Sequence, residues 1–311
     1  MDVPIPDLDV PPEMGLDEAA RARRFLVRGD HANLWFEGAG EALVVSFDNL
    51  ATIDEGWPRA PWAWRRLEPL GHSVLGVQSQ AKDWFRQPTA PALLRELEAR
   101  GFFRRFRRVV LTGASMGGFA ALNFAPLIPE ARVLAFSPQS TMNKVIAPFE
   151  QRFPFAVRKS NWEGMPFLDA AAAVPYIRRA VVLYDPFVPE DRAHAARLAG
   201  PNVQFLRAPF TTHEAIRVVL KSGTFPLLID QLVKQDDVGA EFWQAFRARR
   251  TVPKWQRALL AAAGGRGRQG LVIRAADAML RLGADLPDEE KVFIRRARRA
   301  AVNGRKAAEA G

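Results

Sequence analysis

Residues 109–125 (VVLTGASMGGFAALNFA) constrain the fold of this 311-residue chain more than any other stretch. A β-branched apolar run leads into Gly113-Ala114-Ser115-Met116-Gly117, and an Ala-rich apolar stretch with helical character follows. This is a GxSxG elbow, a sharp strand-to-helix turn that lifts a serine hydroxyl out at the end of a sheet. The two glycines leave room where a Cβ would clash in so crowded a turn. The N–H of Met116 starts the next helix and is available to stabilise negative charge.

The surrounding sequence fits a strand embedded in a larger α/β sheet. Residues 25–27 and 34–36 read as an entry hairpin, broken at Gly29-Asp30. Residues 42–47 (ALVVSF) and 73–77 (SVLGV) read as further strands. Residues 90–100 (APALLRELEAR) carry leucines at 93, 94 and 97, a helical spacing. Strands at 132–136, 180–184 and 203–206 follow the elbow. Strands separated by helices predict a doubly wound, mostly parallel α/β sheet.

Two regions depart from that rhythm. Residues 139–178 contain Phe149, Phe153, Phe155, Trp162, Phe167 and several prolines between two predicted strands, and are expected to form a cap over the serine or ordinary packing. After about residue 238, segments 254–263, 271–282 and 288–302 read as three helices separated by Gly- or Pro-containing turns. The expected divisions are an N-terminal arm at 1–21, an α/β domain at 22–237 and a basic C-terminal helical extension at 238–311.

Charge is concentrated in that extension. It holds 16 Lys and Arg against 7 Asp and Glu, a net of +9, whereas the rest holds 28 against 27. A solvated helical surface accounts for this, and a nucleic acid or anionic surface is the weaker alternative partner. The acidic, proline-rich start has no basic region followed by an apolar one, so no secretory signal is expected. No stretch reaches the ~20 apolar residues of a membrane span. The chain has no cysteine, which excludes disulfides and thiolate metal sites and fits a cytoplasmic setting.

A serine needs a base to take its proton and an acid to orient that base. There are four histidines. His31 and His72 precede the serine, and His194 falls within a predicted helix at 190–198, where a surface position is expected. His213 follows the last predicted strand and a short loop, and is the preferred base. The acid is Asp191, past a short loop where it could also cap a helix, or Asp185, at a strand end where it could also hold a turn. Asp191 is preferred because an acid must reach beyond the strand end toward the histidine loop.

The order Ser115, Asp191 (or Asp185), His213 is that of the α/β hydrolases. With the elbow GASMGG, the acid segment VVLYDPFVPED and the histidine segment RAPFTTHEAIRVVL, the chain resembles an α/β-hydrolase superfamily member over about residues 22–237. The segments SPQST (137–141) and PFEQRF (148–153) resemble parts of uncharacterised bacterial hydrolase-like proteins. The resemblance implies a serine hydrolase of esterase or thioesterase type acting through an acyl-enzyme; a small-molecule or glycoconjugate acyl compound is the expected partner, with no particular substrate carried over from the likeness. An acyltransferase on the same triad, or a binding protein on a hydrolase scaffold, is the alternative. It also implies a second oxyanion donor in the loop after ALVVSF, at Asn49 or Leu50, beside Met116. That loop lacks the HG or HGGG sequence common in esterases and lipases, which argues against an ordinary lipase and leaves the second donor open. No metal or organic cofactor is called for.

Overall fold

The computed structural model describes residues 23–164, 166–283 and 286–310. The arm expected at 1–21 lies outside the described residues. Eight strands form one sheet: β1 (Arg24–Arg28), β2 (Ala32–Glu37), β3 (Ala42–Phe47), β4 (Ser73–Ser79), β5 (Arg108–Ala114), β6 (Arg132–Phe136), β7 (Arg179–Tyr184) and β8 (Val203–Arg207). Their order is β1-β2-β4-β3-β5-β6-β7-β8. β2 runs antiparallel to both β1 and β4, and every pairing from β4 through β8 is parallel. The predicted hairpin and all the other predicted strands are present.

The parallel strands are buried on both faces, which is why they read as continuous apolar runs rather than as alternating ones. Successive side chains of each strand serve opposite sides. Leu43, Val45, Leu111, Val133 and Val182 enter one apolar cluster with helices α1 (Thr89–Ala99) and α2 (Met116–Phe124). Val44, Val110, Leu134, Val181 and Leu183 enter the other.

α2 leaves the elbow at the centre of the sheet, and every one of its residues is buried. It lies between the sheet and the segment that links β6 to β7. From that segment, Trp162 packs edge-on against Phe119, and Phe167 against Phe124, at ring separations of 5.7 and 5.1 Å. The segment also carries a short helix, α3 (Pro154–Lys159). Arg86 ties it to the α/β layer by donating to the carbonyls of Asn161 and Gly164.

Helices α4 (Pro189–Arg197), α5 (Ala215–Lys221) and α6 (Phe225–Lys234) follow β7 and β8. The C-terminal helices are α7 (Pro253–Gly265), α8 (Gln269–Leu282) and α9 (Asp288–Ala310), at the positions expected from the sequence. Their apolar faces, with Trp255, Leu260, Val272, Ala276 and Ile294, are continuous with the second sheet cluster. Several of their cations are used within the chain: Arg257 pairs with Glu290 and Arg298 with Asp277. Among the described residues no helix is long and apolar enough to cross a membrane.

Candidate active site

The elbow is tight for a measurable reason. A Cβ on Gly113 would lie 2.3 Å from the carbonyl carbon of Gly117, and one on Gly117 would lie 2.6 Å from the Phe47 carbonyl oxygen and 2.7 Å from that of Asp48. Neither position tolerates a side chain. The close approach also sets the end of β3 directly against the first turn of α2. Between the glycines, Ser115 takes φ 53° and ψ −113°, away from every well favoured by an L-residue.

Around the serine hydroxyl the structure brings together residues from three separate parts of the chain. Ser115 Oγ lies 3.1 Å from His213 Nε2. His213 Nδ1 lies 2.8 and 3.0 Å from the two carboxylate oxygens of Asp191. Asp191 is in the first turn of α4, whose cap position is Val188, so it points to the histidine instead of capping the helix. Asp185 does something different. Its carboxylate accepts the N–H of Phe187 at 2.9 Å and that of Thr212 at 2.8 Å, so it folds its own turn and anchors the histidine loop.

That loop is held from two further sides. Thr212 has φ 62° and Phe210 φ 67°, uncommon for residues with a side chain. Trp255 of α7 donates its indole N–H to the Pro209 carbonyl at 3.0 Å, and its ring packs on Phe210. Lys254 pairs with Glu214, the residue after the histidine. On the other side, the Phe153 ring lies 5.8 Å from the His213 ring.

The loop after β3 supplies one open donor. The N–H of Asn49 is taken by the Thr52 hydroxyl at 3.1 Å, and the Asn49 side chain accepts from Ala51 and Thr52. The N–H of Leu50 makes no hydrogen bond among the described residues. Met116 N–H, first in α2, has no helical carbonyl to bond. Asp48 is fully buried and directed to Arg59, with a 2.6 Å ion pair. Burial pushes its carboxyl up to about 6, against the pull of Arg59.

Three site residues escaped the sequence reading. Gln139, in the SPQST segment, is fully buried. Trp84 Nε1 lies 3.1 Å from its Oε1, and an indole N–H can only donate, so that atom is the amide oxygen. The amide nitrogen then donates to Ser115 Oγ at 3.1 Å. Arg152 and Glu150, from PFEQRF, are the others. Arg152 Nη1 donates to Asp191 Oδ1 at 2.8 Å, while Nε and Nη2 grip Glu150. Two opposite charges spaced two apart among aromatics were the available signal, because charged groups in an apolar segment are buried only when paired.

His194, expected at the surface, is fully buried. The 190–198 helix turns this residue inward, and its Nε2 lies 3.1 Å from Glu150 Oε2. Burial lowers its affinity for a proton, partly offset by Glu150. For Glu150 burial acts upward, but hydrogen bonds from His194 and Arg152 and the Arg152 charge outweigh it and hold the carboxyl at about 2.

A mostly parallel eight-stranded sheet with a reversed second strand, and a serine elbow after its fifth, decides the architecture. The fold is that of the α/β hydrolases. No protein-family model matches the chain, and no curated relative matches it. Among solved structures, it is similar to the capsule O-acetyltransferase of Neisseria meningitidis serogroup A, at 8% identity and a TM-score of 0.46, over 66% of this chain and 93% of that one. It is similar to carboxyl esterase 2 of the fungus Tuber melanosporum at 14% identity and a TM-score of 0.45, over 71% of this chain and 83% of that one. Est1E from Butyrivibrio proteoclasticus matches at 14% identity and a TM-score of 0.41, over 68% and 99% of the two chains. These are likenesses of shape at low sequence identity. Among the described residues no group of His, Asp or Glu could hold a metal ion.

Proposed function

We propose that this protein is a serine acyl-transfer enzyme that hydrolyses a small ester or thioester through an acyl-enzyme. One observation carries the reading: an unbroken contact path from Asp191 through both nitrogens of His213 to a serine held in a strained elbow. Such strain is retained where the surrounding structure over-determines it, and it clusters at reactive positions.

In this reading Ser115 Oγ attacks the acyl carbonyl carbon and its proton passes to His213 Nε2. Asp191 keeps the other imidazole proton on Nδ1 and stabilises the imidazolium. Gln139 positions Oγ for the attack by donating to it. The N–H groups of Met116 and Leu50 receive the oxyanion. The tetrahedral intermediate collapses by breaking the bond to the leaving alcohol or thiol, which takes the proton from Nε2. A water then loses a proton to His213, attacks the acyl carbon and releases the acid, restoring Ser115. Asp185, Trp255 and Lys254 act indirectly, by holding the loop that carries His213. The first of the C-terminal helices thereby has a task at the site.

Fluorophosphonate labelling of the purified protein tests this. Wild type is expected to be modified at Ser115, with the signal abolished in Ser115→Ala and strongly reduced in His213→Ala. A folded wild type that resists labelling would refute the proposal.

A further inference from the structure

The acid of the proposed triad is itself part of a longer buried array. Asp191 has a side-chain exposure of 1% and serves two cations or potential cations at once, His213 at 2.8 Å and Arg152 at 2.8 Å. Glu150, also at 1%, takes the rest of the same guanidinium through both of its oxygens. Beyond Glu150 stands His194, whose protonation state the geometry fixes. The backbone N–H of Ser140 points at His194 Nδ1 at 3.1 Å, and a backbone N–H can only donate. Nδ1 is therefore bare, the proton sits on Nε2, and Nε2–H donates to Glu150. A neutral His194 agrees with the effect of its burial. Ser140 in turn is bonded by Arg197, which pairs with Asp169.

Nearest His213, one cation, Arg152, stands between the two carboxylates of Asp191 and Glu150. The Asp191 carboxylate favours positive charge on the imidazole. A guanidinium on the far side of that carboxylate opposes the imidazolium and fixes the carboxylate plane. Glu150 limits the opposition and keeps Arg152 in place, because an arginine this enclosed needs more than one half-shared partner.

We propose that Arg152 and Glu150 are a positioning pair for the triad, Arg152 orienting Asp191 and opposing positive charge on His213 from the far side of that carboxylate, with Glu150 setting how strongly it does so. The proposal rests on the assignment of Ser115, His213 and Asp191 to the site. The other groups facing His213 are Ser115 from the elbow, Glu214 on its own segment with Lys254 and Arg217 as partners, and Asp185, which reaches it through the Thr212 N–H. All of these stay constant in the variants below.

The test is the imidazole titration of His213 followed by NMR, a feasible assignment in a chain with four histidines. Arg152→Met is expected to raise the His213 midpoint by about one pH unit, since it strips the opposing charge from a partly screened site. Glu150→Gln is expected to lower it by a smaller amount. The double variant should fall back toward wild type, and Arg152→Lys, which keeps the charge, should stay near it. A purely structural tie between segments would not produce this alternation of sign. If Arg152→Met does not fold, Glu150→Gln and Arg152→Lys still decide. Folded variants whose midpoints all lie within about 0.2 pH units of wild type would overturn the pair's role. Fluorophosphonate labelling of the same samples keeps the two readings apart. An unlabelled wild type with the shifts present removes acyl transfer and retains the pair, whereas labelling without shifts does the reverse.

Discussion

Replacing Ser115 by glycine should make the protein more stable than replacing it by alanine, the reverse of the order at an ordinary position. Both substitutions delete the hydroxyl, so both lose the contacts to His213 and Gln139 equally. The difference between them isolates the backbone. At φ 53° and ψ −113° the Cβ of alanine retains the strain of the native serine, and glycine relieves it. Strain of this kind is worth roughly 1–3 kcal/mol. Glycine loses about 0.4–1 kcal/mol of that through the greater freedom of its unfolded chain. Ser115 is partly exposed, so the missing methyl leaves no sealed cavity. The net expectation is that Ser115→Gly exceeds Ser115→Ala by about 1 kcal/mol or slightly more. Urea unfolding of the two variants, followed by circular dichroism, measures it. A glycine variant less stable than the alanine variant by about 0.4–1 kcal/mol would be the result of an unstrained position, and would refute the claim that the elbow stores strain at the serine.

Further expectations follow from neighbouring contacts. Gln139→Ala removes the donor to Ser115 Oγ and should slow fluorophosphonate labelling about tenfold, the kinetic equivalent of one hydrogen bond of roughly 1.4 kcal/mol; an unchanged rate would place the amide outside the reaction. Trp255→Phe keeps an aromatic ring at that place but loses the bond to the Pro209 carbonyl, so labelling should slow by about two- to tenfold while the fold survives. Glu150 has its carboxyl held at about 2 in the folded chain against an ordinary 4.5, so its contribution to stability is complete above pH 4.5 and is lost as pH falls toward 2. The gap corresponds to about 3 kcal/mol, and acid unfolding of Glu150→Gln should lack that part of the wild-type pH dependence. Gly117→Ala would press a methyl group onto the Phe47 and Asp48 carbonyls and should destabilise the chain by about 2 kcal/mol or more, measured by thermal unfolding.

Much of this was legible in the linear chain, for reasons of local physics. Ser115 was legible because a turn that sharp admits only glycine at positions 113 and 117, and this leaves a written signature. The strands were legible because a sheet buried on both faces needs continuous β-branched runs. His213 emerged by elimination among four histidines, and Asp191 from its place beyond a strand end. Local sequence does not separate Asp191 from Asp185. Both are buried acids within a few residues of one strand end, and what separates them is the direction of a side chain after β7. One faces His213 and the other gathers the backbone N–H groups of Phe187 and Thr212.

What only the tertiary structure decided are the groups whose roles depend on partners remote in sequence. Gln139 is an unremarked polar residue until the folding of the β6–β7 segment sets it between Trp84 and Ser115. His194 reads as a helix-surface residue because nothing in the local sequence supplies a partner for a buried imidazole; Glu150, Ser140 and the covering segment make it an interior one. Arg152 acquires its place only when two carboxylates, one two residues away and one thirty-nine away, close on the same guanidinium. Local sequence dictates the dihedral angles and periodicities that make an elbow, a strand or a helix. Burial of charge is settled by the whole fold, because a charge is tolerated inside only where distant segments bring its partner.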